Sequence, residues 1–149
     1  MADKKTIKFE IVTPERTVFS QEIIQVIVPT QEGEITVLPE HIPLVSILKP
    51  GVLEIKTANQ EVEIISVSDG FIEVLRDKVV VLADTAERAQ ELDESRIEEA
   101  RKRAEEAKIE ALNSTDYDLS AVAARLEVEI ARDRALQKWR KLKNINPNR

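Results

Sequence analysis

His41 is the only histidine in this 149-residue chain, and histidine is the side chain best suited to acid–base or metal chemistry near neutral pH. It lies between Pro39 and Pro43 in the stretch GEITVLPEHIPLVSILKPG. One histidine without any cysteine cannot build a His/Cys zinc site, and no serine lies in the sequence context of an activated nucleophile. We therefore expect His41 to occupy a turn or an interface rather than an active site.

The remaining polar residues also argue against catalysis. Three isolated glycines cannot form a phosphate-binding loop. Many carboxylates have a basic residue four positions later, as in Glu98–Lys102 and Glu99–Arg103, which is typical of a solvated helix face. The net charge of −6 disfavours a general nucleic-acid binder. The sequence therefore predicts neither catalytic residues nor a metal site.

The first 84 residues have the pattern of short β-strands. Six segments are rich in valine and isoleucine, and turn signals containing Gly, Pro, Asn or Asp separate them. The segments are TIKFEIVT, EIIQVIVP, GVLEIKT, EVEIISVS, GFIEVLR and KVVVLAD. Many short strands at close spacing predict an antiparallel sandwich or barrel.

After Asp84 the pattern becomes helical, since no Gly or Pro occurs between Thr85 and Lys143. One helix is predicted from Glu94 to Leu112, with Asp93 as its N-cap. Its apolar stripe consists of Ile97, Ala100, Ala104, Ala107 and Ala111. The segment NSTDYD breaks the pattern, and a second helix follows with Leu119, Val122, Leu126, Ile130, Leu136 and Trp139. The predicted fold class is α+β: an antiparallel β-sandwich domain over residues 1–85, then an antiparallel two-helix hairpin over residues 86–149.

Charge is divided unevenly along the chain. Residues 132–149 hold seven basic side chains and one acid, whereas the rest of the chain holds fifteen basic and twenty-seven acidic side chains. An acidic body therefore has a basic C-terminal end. That end is either simply solvated or is a contact for an acidic partner.

The opening stretch, followed by VSDGFIEVLRDKVVVLADTAERAQELD, resembles the epsilon subunit of bacterial F-type ATP synthase, whose mitochondrial counterpart is called delta. The acidic-Gly-acidic turn, the Pro-x-His-x-Pro turn, the Pro-Gly turn and the Gly-Phe strand occur in the family's order. The resemblance covers nearly the whole chain.

The resemblance implies a non-catalytic rotor subunit at the foot of the central stalk, peripheral to the cytoplasmic face of the bacterial plasma membrane. It implies contact with the gamma subunit and the ring of c subunits, and a role in coupling proton-driven rotation to ATP synthesis. The residues implied in these contacts lie in a loop expected from Gln31 to Pro43, and they are Glu32, Gly33, Glu34, His41 and Pro43.

Some members of the family bind regulatory ATP on the hairpin, although no cofactor is required. The residues that match this motif are Glu87, Leu92, Asp93, Arg96 and Arg134. Ile97 replaces an alanine of the motif, and Ile130 replaces a second arginine. We therefore expect ATP binding to be weak or absent. Asp93 as an N-cap and Arg96 as a surface charge explain these two residues equally well.

The family's hairpin also inhibits ATP hydrolysis by contacting the catalytic head. The resemblance implies that the basic end of the second helix docks on the beta, and also the alpha, subunits. The residues concerned are Arg132, Arg134, Lys138, Arg140 and Lys141. The alternative from another functional class is a free β-sandwich adaptor whose hairpin docks a partner protein.

Overall fold

A computed structural model describes residues 4–115 and 118–145 of the chain. Strands occupy the first part of the chain and two helices the last, as predicted. The strands are β1 (Ile7–Val12), β2 (Thr17–Thr30), β3 (Gly33–Val37), β4 (Leu44–Leu48), β5 (Gly51–Thr57), β6 (Val62–Val67), β7 (Gly70–Val74), β8 (Lys78–Ala83) and β9 (Ala86–Arg88). A 3₁₀ turn (Ala89–Glu91) leads to helices α1 (Glu94–Leu112) and α2 (Leu119–Ile145).

The strands form a sandwich in which the long strand β2 joins the two layers. One layer has the order β1-β8-β7-β4, and the other has the order β9-β6-β5-β2-β3. The first half of β2 pairs with β1, and Thr30 at its end pairs with Leu48 of β4. Every pairing is antiparallel except β1–β8, which is parallel. The predicted sandwich is therefore confirmed, with one parallel pairing that the sequence pattern did not indicate.

The core lies between the layers because alternate residues of each strand point inward. Its largest fully buried side chains come from strands of both layers, and Phe9 and Phe19 pack with ring centroids 5.8 Å apart. Other members include Ile11, Ile23, Leu53, Ile55, Ile65 and Ile72. The valine- and isoleucine-rich segments of the sequence thus supply a continuous apolar interior.

Three strands were not predicted: β3, β4 and β9. The expectation of one loop from Gln31 to Pro43 is wrong, because β3 divides it into a tight turn and a second loop. β3 pairs with β2 along its whole length in a hairpin, and this pairing stabilises a strand with two exposed polar residues, Glu34 and Thr36. The strand ladder also continues past residue 85, because Ala86–Arg88 pairs with β6.

Helix α1 has the predicted bounds, Glu94–Leu112, and α2 begins at Leu119 after the predicted break. Asp93 caps α1, since its Oδ1 accepts hydrogen bonds from the backbone N–H groups of Ser95 (3.0 Å) and Arg96 (3.4 Å). Asp118 caps α2 in the same way, through the N–H groups of Ser120 and Ala121. Residues 116–117 of the predicted break and Arg149 of the basic end lie outside the described residues.

Helix α2 packs on the outer surface of β5 and β6 through a second, smaller apolar cluster. Ile64, Ala89 and Ala135 are buried there, and they pack against Val52, Val62, Leu92, Trp139 and Leu142. β6 therefore buries both faces, which explains the adjacent apolar pair Ile64 and Ile65 in its sequence. Among the described residues, no helix is long and apolar enough to cross a membrane.

Candidate functional site

The acidic turn lies between β2 and β3. Gly33 has a φ of 116° while no atom lies within 4 Å of an added Cβ, so the backbone conformation rather than space favours glycine here. The Thr30 hydroxyl donates a 2.6 Å hydrogen bond to the Gly33 carbonyl and braces the turn. Glu32 and Glu34 are both exposed. The turn therefore presents two carboxylates from a rigid support.

His41 lies in a different turn, beyond the other end of β3. The five-residue strand separates the acidic turn from this second loop by about 13 Å of chain. The His41 Nδ1–H donates a 2.7 Å hydrogen bond to the Ile42 carbonyl, and Pro43 beside it is exposed. Within the described part of the chain, no acidic or nucleophilic side chain hydrogen-bonds to His41. The structure thus gives His41 a backbone contact and shows no catalytic partner for it.

An exposed apolar face on the β4–β7–β8 layer was not predicted. Ile47, Phe71 and Leu82 lie side by side in cross-strand register, and their exposures are 57%, 44% and 38%. Val45 extends this face along β4, and Ile42 is exposed in the loop before it. The signal was present in the sequence LVSIL, which places apolar residues on both sides of one strand. We call Val45, Ile47, Phe71 and Leu82 the apolar face.

A cleft of about 270 Å³ lies where β9 and the 3₁₀ turn meet the hairpin. Four residues of the predicted nucleotide motif come together in its lining: Glu87, Leu92, Asp93 and Arg96. Arg134, the fifth, is exposed on α2 and does not line the cleft. The remaining lining residues are Glu91, Ile97, Ala100, Glu129 and Arg132.

Arg132 is the cleft residue with the strongest ion pairs. Its Nε lies 2.5 Å from Glu87 Oε2, and its Nη1 lies 2.6 Å from Glu129 Oε1. Burial opposes the charge of the guanidinium, but hydrogen bonds and charge attraction, first from Glu87 and then from Glu129, outweigh it and raise the pKa of Arg132. Arg132 is therefore an internal counter-ion in this arrangement.

Two other basic residues of α2 also form ion pairs within the chain. Lys138 Nζ lies 2.5 Å from Glu54 Oε2 on β5, and Arg140 makes a two-pronged contact with Glu94 at 2.7 and 2.8 Å. By contrast, Arg134 and Lys141 are exposed and form no ion pair with any described residue. The contact of these five basic residues with another subunit stays a prediction.

Comparisons with known proteins agree with this fold. The family described as "ATP synthase, Delta/Epsilon chain, beta-sandwich domain" matches residues 6–89. The ATP synthase epsilon chain of Psychrobacter arcticus is 44% identical over 139 residues, covering 93% of this chain and 97% of the relative. That of Chloroflexus aggregans is 44% identical over 131 residues, covering 88% and 92%.

Two solved structures share the architecture. A chain in the Euglena gracilis mitochondrial ATP synthase structure (OSCP/F1/c-ring) aligns with a TM-score of 0.75 at 21% identity, covering 88% of this chain and 81% of that one. A chain in the central stalk/c-ring structure from Tetrahymena thermophila aligns with a TM-score of 0.62 at 15% identity, covering 91% and 99%. These identities show the fold alone. The relatives do not favour the free-adaptor alternative, and together with the family match they show that this chain belongs to the delta/epsilon family of ATP synthase, among its epsilon chains.

Proposed function

We propose that the chain is a non-catalytic rotor subunit of F-type ATP synthase that couples proton-driven rotation to ATP synthesis and restrains ATP hydrolysis through its helices. The observation that carries this proposal is the apolar face, because a rigid sandwich with an unpaired apolar surface is built to be held by a partner. Among the described residues, no group of three or more His, Cys, Asp or Glu side chains could hold a metal ion.

The apolar face is the surface proposed for the gamma subunit. Ile47, Phe71 and Leu82 form one continuous row across three strands, and contacts of this kind form the desolvated centre of stable interfaces. Because the three side chains stand on hydrogen-bonded strands, little conformational entropy is lost on binding. A subunit that must turn together with gamma needs such a rigid attachment.

The acidic turn is the surface proposed for the c ring. Glu32 and Glu34 project from the β2–β3 turn, and two carboxylates at a rim complement basic or polar loops. His41 and Pro43, at the other end of β3, are proposed as a second contact of the same domain with the stalk and ring. The chain is accordingly proposed to lie at the cytoplasmic face of the bacterial plasma membrane, held there by the complex.

The hairpin is the proposed brake. It rests on the sandwich through one small apolar cluster and a few ion pairs, so it can leave that surface without unfolding the strands. In an extended state its basic residues would reach the beta and alpha subunits. Opposite charges across that interface would stabilise the state that blocks hydrolysis.

The test is a reconstituted complex that contains either the full chain or residues 1–89. The shortened chain should copurify with gamma, because the apolar face is intact, and it should allow faster ATP hydrolysis. Loss of copurification by the full chain would refute the rotor assignment. Equal hydrolysis with the two chains across nucleotide conditions would refute the brake.

A further inference from the structure

The cleft beside β9 has a charge pattern that does not suit a phosphate ligand. Four carboxylates line it, from Glu87, Glu91, Asp93 and Glu129, against the two guanidinium groups of Arg96 and Arg132. A triphosphate needs an excess of positive donors, because its own charge must be offset as it leaves water. The cleft instead offers an excess of negative charge.

The positions of the individual donors lead to the same result. The Nε and Nη1 groups of Arg132 already form ion pairs with Glu87 and Glu129. Arg96 lies in the lining, but its side chain is 87% exposed and its ion pair with Asp93 is long, at 3.9 Å, so water screens its charge. Ile97 is buried at the wall where the family motif has the smaller alanine. The residues present therefore do not fit regulatory ATP in the folded hairpin.

We propose that Arg132 is the internal ligand of this cleft and that, by bridging Glu87 of β9 and Glu129 of α2, it closes the hairpin on the sandwich without any nucleotide. Glu87 belongs to the strand ladder, whereas Arg132 and Glu129 belong to α2. The Arg132–Glu87 pair therefore crosses from one structural unit to the other. We call this three-residue contact the arginine latch.

The latch should be more sensitive to loss of the arginine than to loss of Glu87. The side chains of Arg132 and Glu129 are 26% and 13% exposed, and Glu129 Oε2 is buried without a hydrogen-bond partner among the described residues. Removing Arg132 leaves two neighbouring carboxylates without a counter-charge, and a half-buried unpaired charge is costly. Removing the charge of Glu87 leaves Arg132 still paired with Glu129.

The experiment uses the full chain and amide hydrogen exchange along α2, with the emission of Trp139 as a second readout. Trp139 is the only tryptophan, and it packs in the cluster between α2 and the sandwich. The variants are Glu87→Gln and Arg132→Gln, with Glu98→Gln as the control because the Glu98–Lys102 ion pair lies along α1. Exchange of the α2 amides should rise about two- to fivefold in Glu87→Gln, and further in Arg132→Gln, but less than about twofold in the control.

ATP itself is the probe for the second half of the proposal. Addition of ATP at low millimolar concentration should change neither the exchange of wild-type α2 nor the emission of Trp139. Protection of wild-type α2 by ATP at or below that concentration, or control-like exchange in both latch variants, would overturn the proposal. If Arg132→Gln loses the native circular dichroism, Glu87→Gln alone decides the outcome. The inference extends the proposed brake, but its test needs no other subunit, so it can fail while the proposed function stands, and the reverse.

Discussion

Lys138 on α2 and Glu54 on β5 form an ion pair whose Nζ–Oε2 distance is 2.5 Å, and this pair ties the hairpin to the sandwich. Together with the Arg132 and Arg140 pairs, it engages basic residues that are also proposed to dock on the catalytic head. The same cations cannot serve both contacts at once. The folded and docked states therefore compete, and substitutions on the acidic side of each pair affect the folded state alone.

Phe71→Glu should weaken the attachment to gamma. The substitution places a charge in the middle of the row formed by Ile47 and Leu82. Desolvating a charge and losing an aromatic contact worth roughly 1.5–3 kcal/mol should reduce affinity at least about tenfold. Calorimetry with isolated gamma measures this loss.

The chain should still fold, because Phe71 already faces solvent. Ala58→Glu, in the exposed turn between β5 and β6, is the matched control and should bind gamma normally. Wild-type affinity in Phe71→Glu would show that the apolar face is not the gamma contact.

Glu34→Lys should weaken coupling while leaving the chemistry of ATP hydrolysis intact. The residue is exposed beside the β2–β3 turn, and charge reversal there would repel basic ring loops. The ratio of proton pumping to hydrolysis in membrane vesicles should fall. Glu15→Lys, in the exposed turn before β2, should leave the ratio unchanged. A wild-type ratio in Glu34→Lys would count against the proposed ring contact.

Residues 1–89 should fold as a stable domain, whereas residues 1–85 should fold less stably. The shorter chain loses β9 together with the side chain of Ala86, which is buried in the core of the sandwich. One buried methyl group and one edge pairing correspond to about 1–2 kcal/mol of unfolding free energy. Urea unfolding of both fragments measures the difference. If the two fragments have equal unfolding free energies, the β-sandwich domain ends at residue 85.

Acid should destabilise the hairpin before the sandwich. Three carboxyl groups of the hairpin have a lowered pKa because they accept hydrogen bonds. The donors to Asp93 are the Ser95 side chain and the Arg96 N–H, and the donors to Asp118 are the Ser120 side chain and the Ala121 N–H. Arg140 donates to Glu94. A carboxylate with a depressed folded pKa stabilises the folded state above its unfolded pKa, and this stability is lost as the pH falls through the folded pKa.

The loss should therefore begin below about pH 4, where free carboxyl groups titrate. Circular dichroism at 222 nm and Trp139 emission between pH 7 and pH 2.5 should report loss of helix packing first. Asp93→Asn keeps a capping oxygen without a titrating group and should shift this transition to lower pH. A hairpin that keeps its packing at pH 2.5 would contradict the assignment of these carboxylates.

The helices could be predicted closely because their determinants are local. The Asp93 cap and the alanine stripe from Ala100 to Ala111 lie within the segment that they specify. The parallel pairing of β1 with β8 could not be predicted, since it joins residues about seventy positions apart through a register that no local pattern sets. β4 also pairs at long range, with β7 twenty to thirty positions later, and the apolar face was missed with it. β3 forms a local hairpin with β2, and it was missed because the resemblance assigned its residues to a loop.

The acidic turn and the nucleotide-motif residues were located through the family resemblance, not through periodicity. The resemblance led to Arg134, whereas the cleft is occupied by Arg132, two positions earlier on α2. Composition showed a basic end but could not show that its cations meet Glu54, Glu87 and Glu94. Such contacts depend on where α2 lies on the sandwich, which is a tertiary property.

Substitutions on opposite sides of the ion pairs should separate the folded and docked states of the hairpin. Glu54→Gln weakens only the folded state, so it should populate the docked state and lower ATP hydrolysis by the complex. Arg134→Glu with Lys141→Glu alters only cations that are unpaired in the folded state, so it should raise hydrolysis. A partly exposed ion pair contributes about 0.2–1 kcal/mol, which limits the Glu54→Gln effect to about fivefold.

A triple charge reversal to Glu, at Arg134, Lys138 and Arg140, should destabilise both the folded and the docked hairpin. Lys138 and Arg140 form ion pairs in the folded state and are also proposed to contact the catalytic head in the docked state. Hydrolysis by that variant should be the highest, since a released hairpin with three of its basic residues reversed binds an acidic surface weakly. Steady-state ATPase assays on complexes of equal subunit content therefore give a rank order, with Glu54→Gln below wild type and both reversal variants above it. If Glu54→Gln hydrolyses faster than wild type, the folded and docked states do not compete for Lys138, and the hairpin restrains hydrolysis from its folded position.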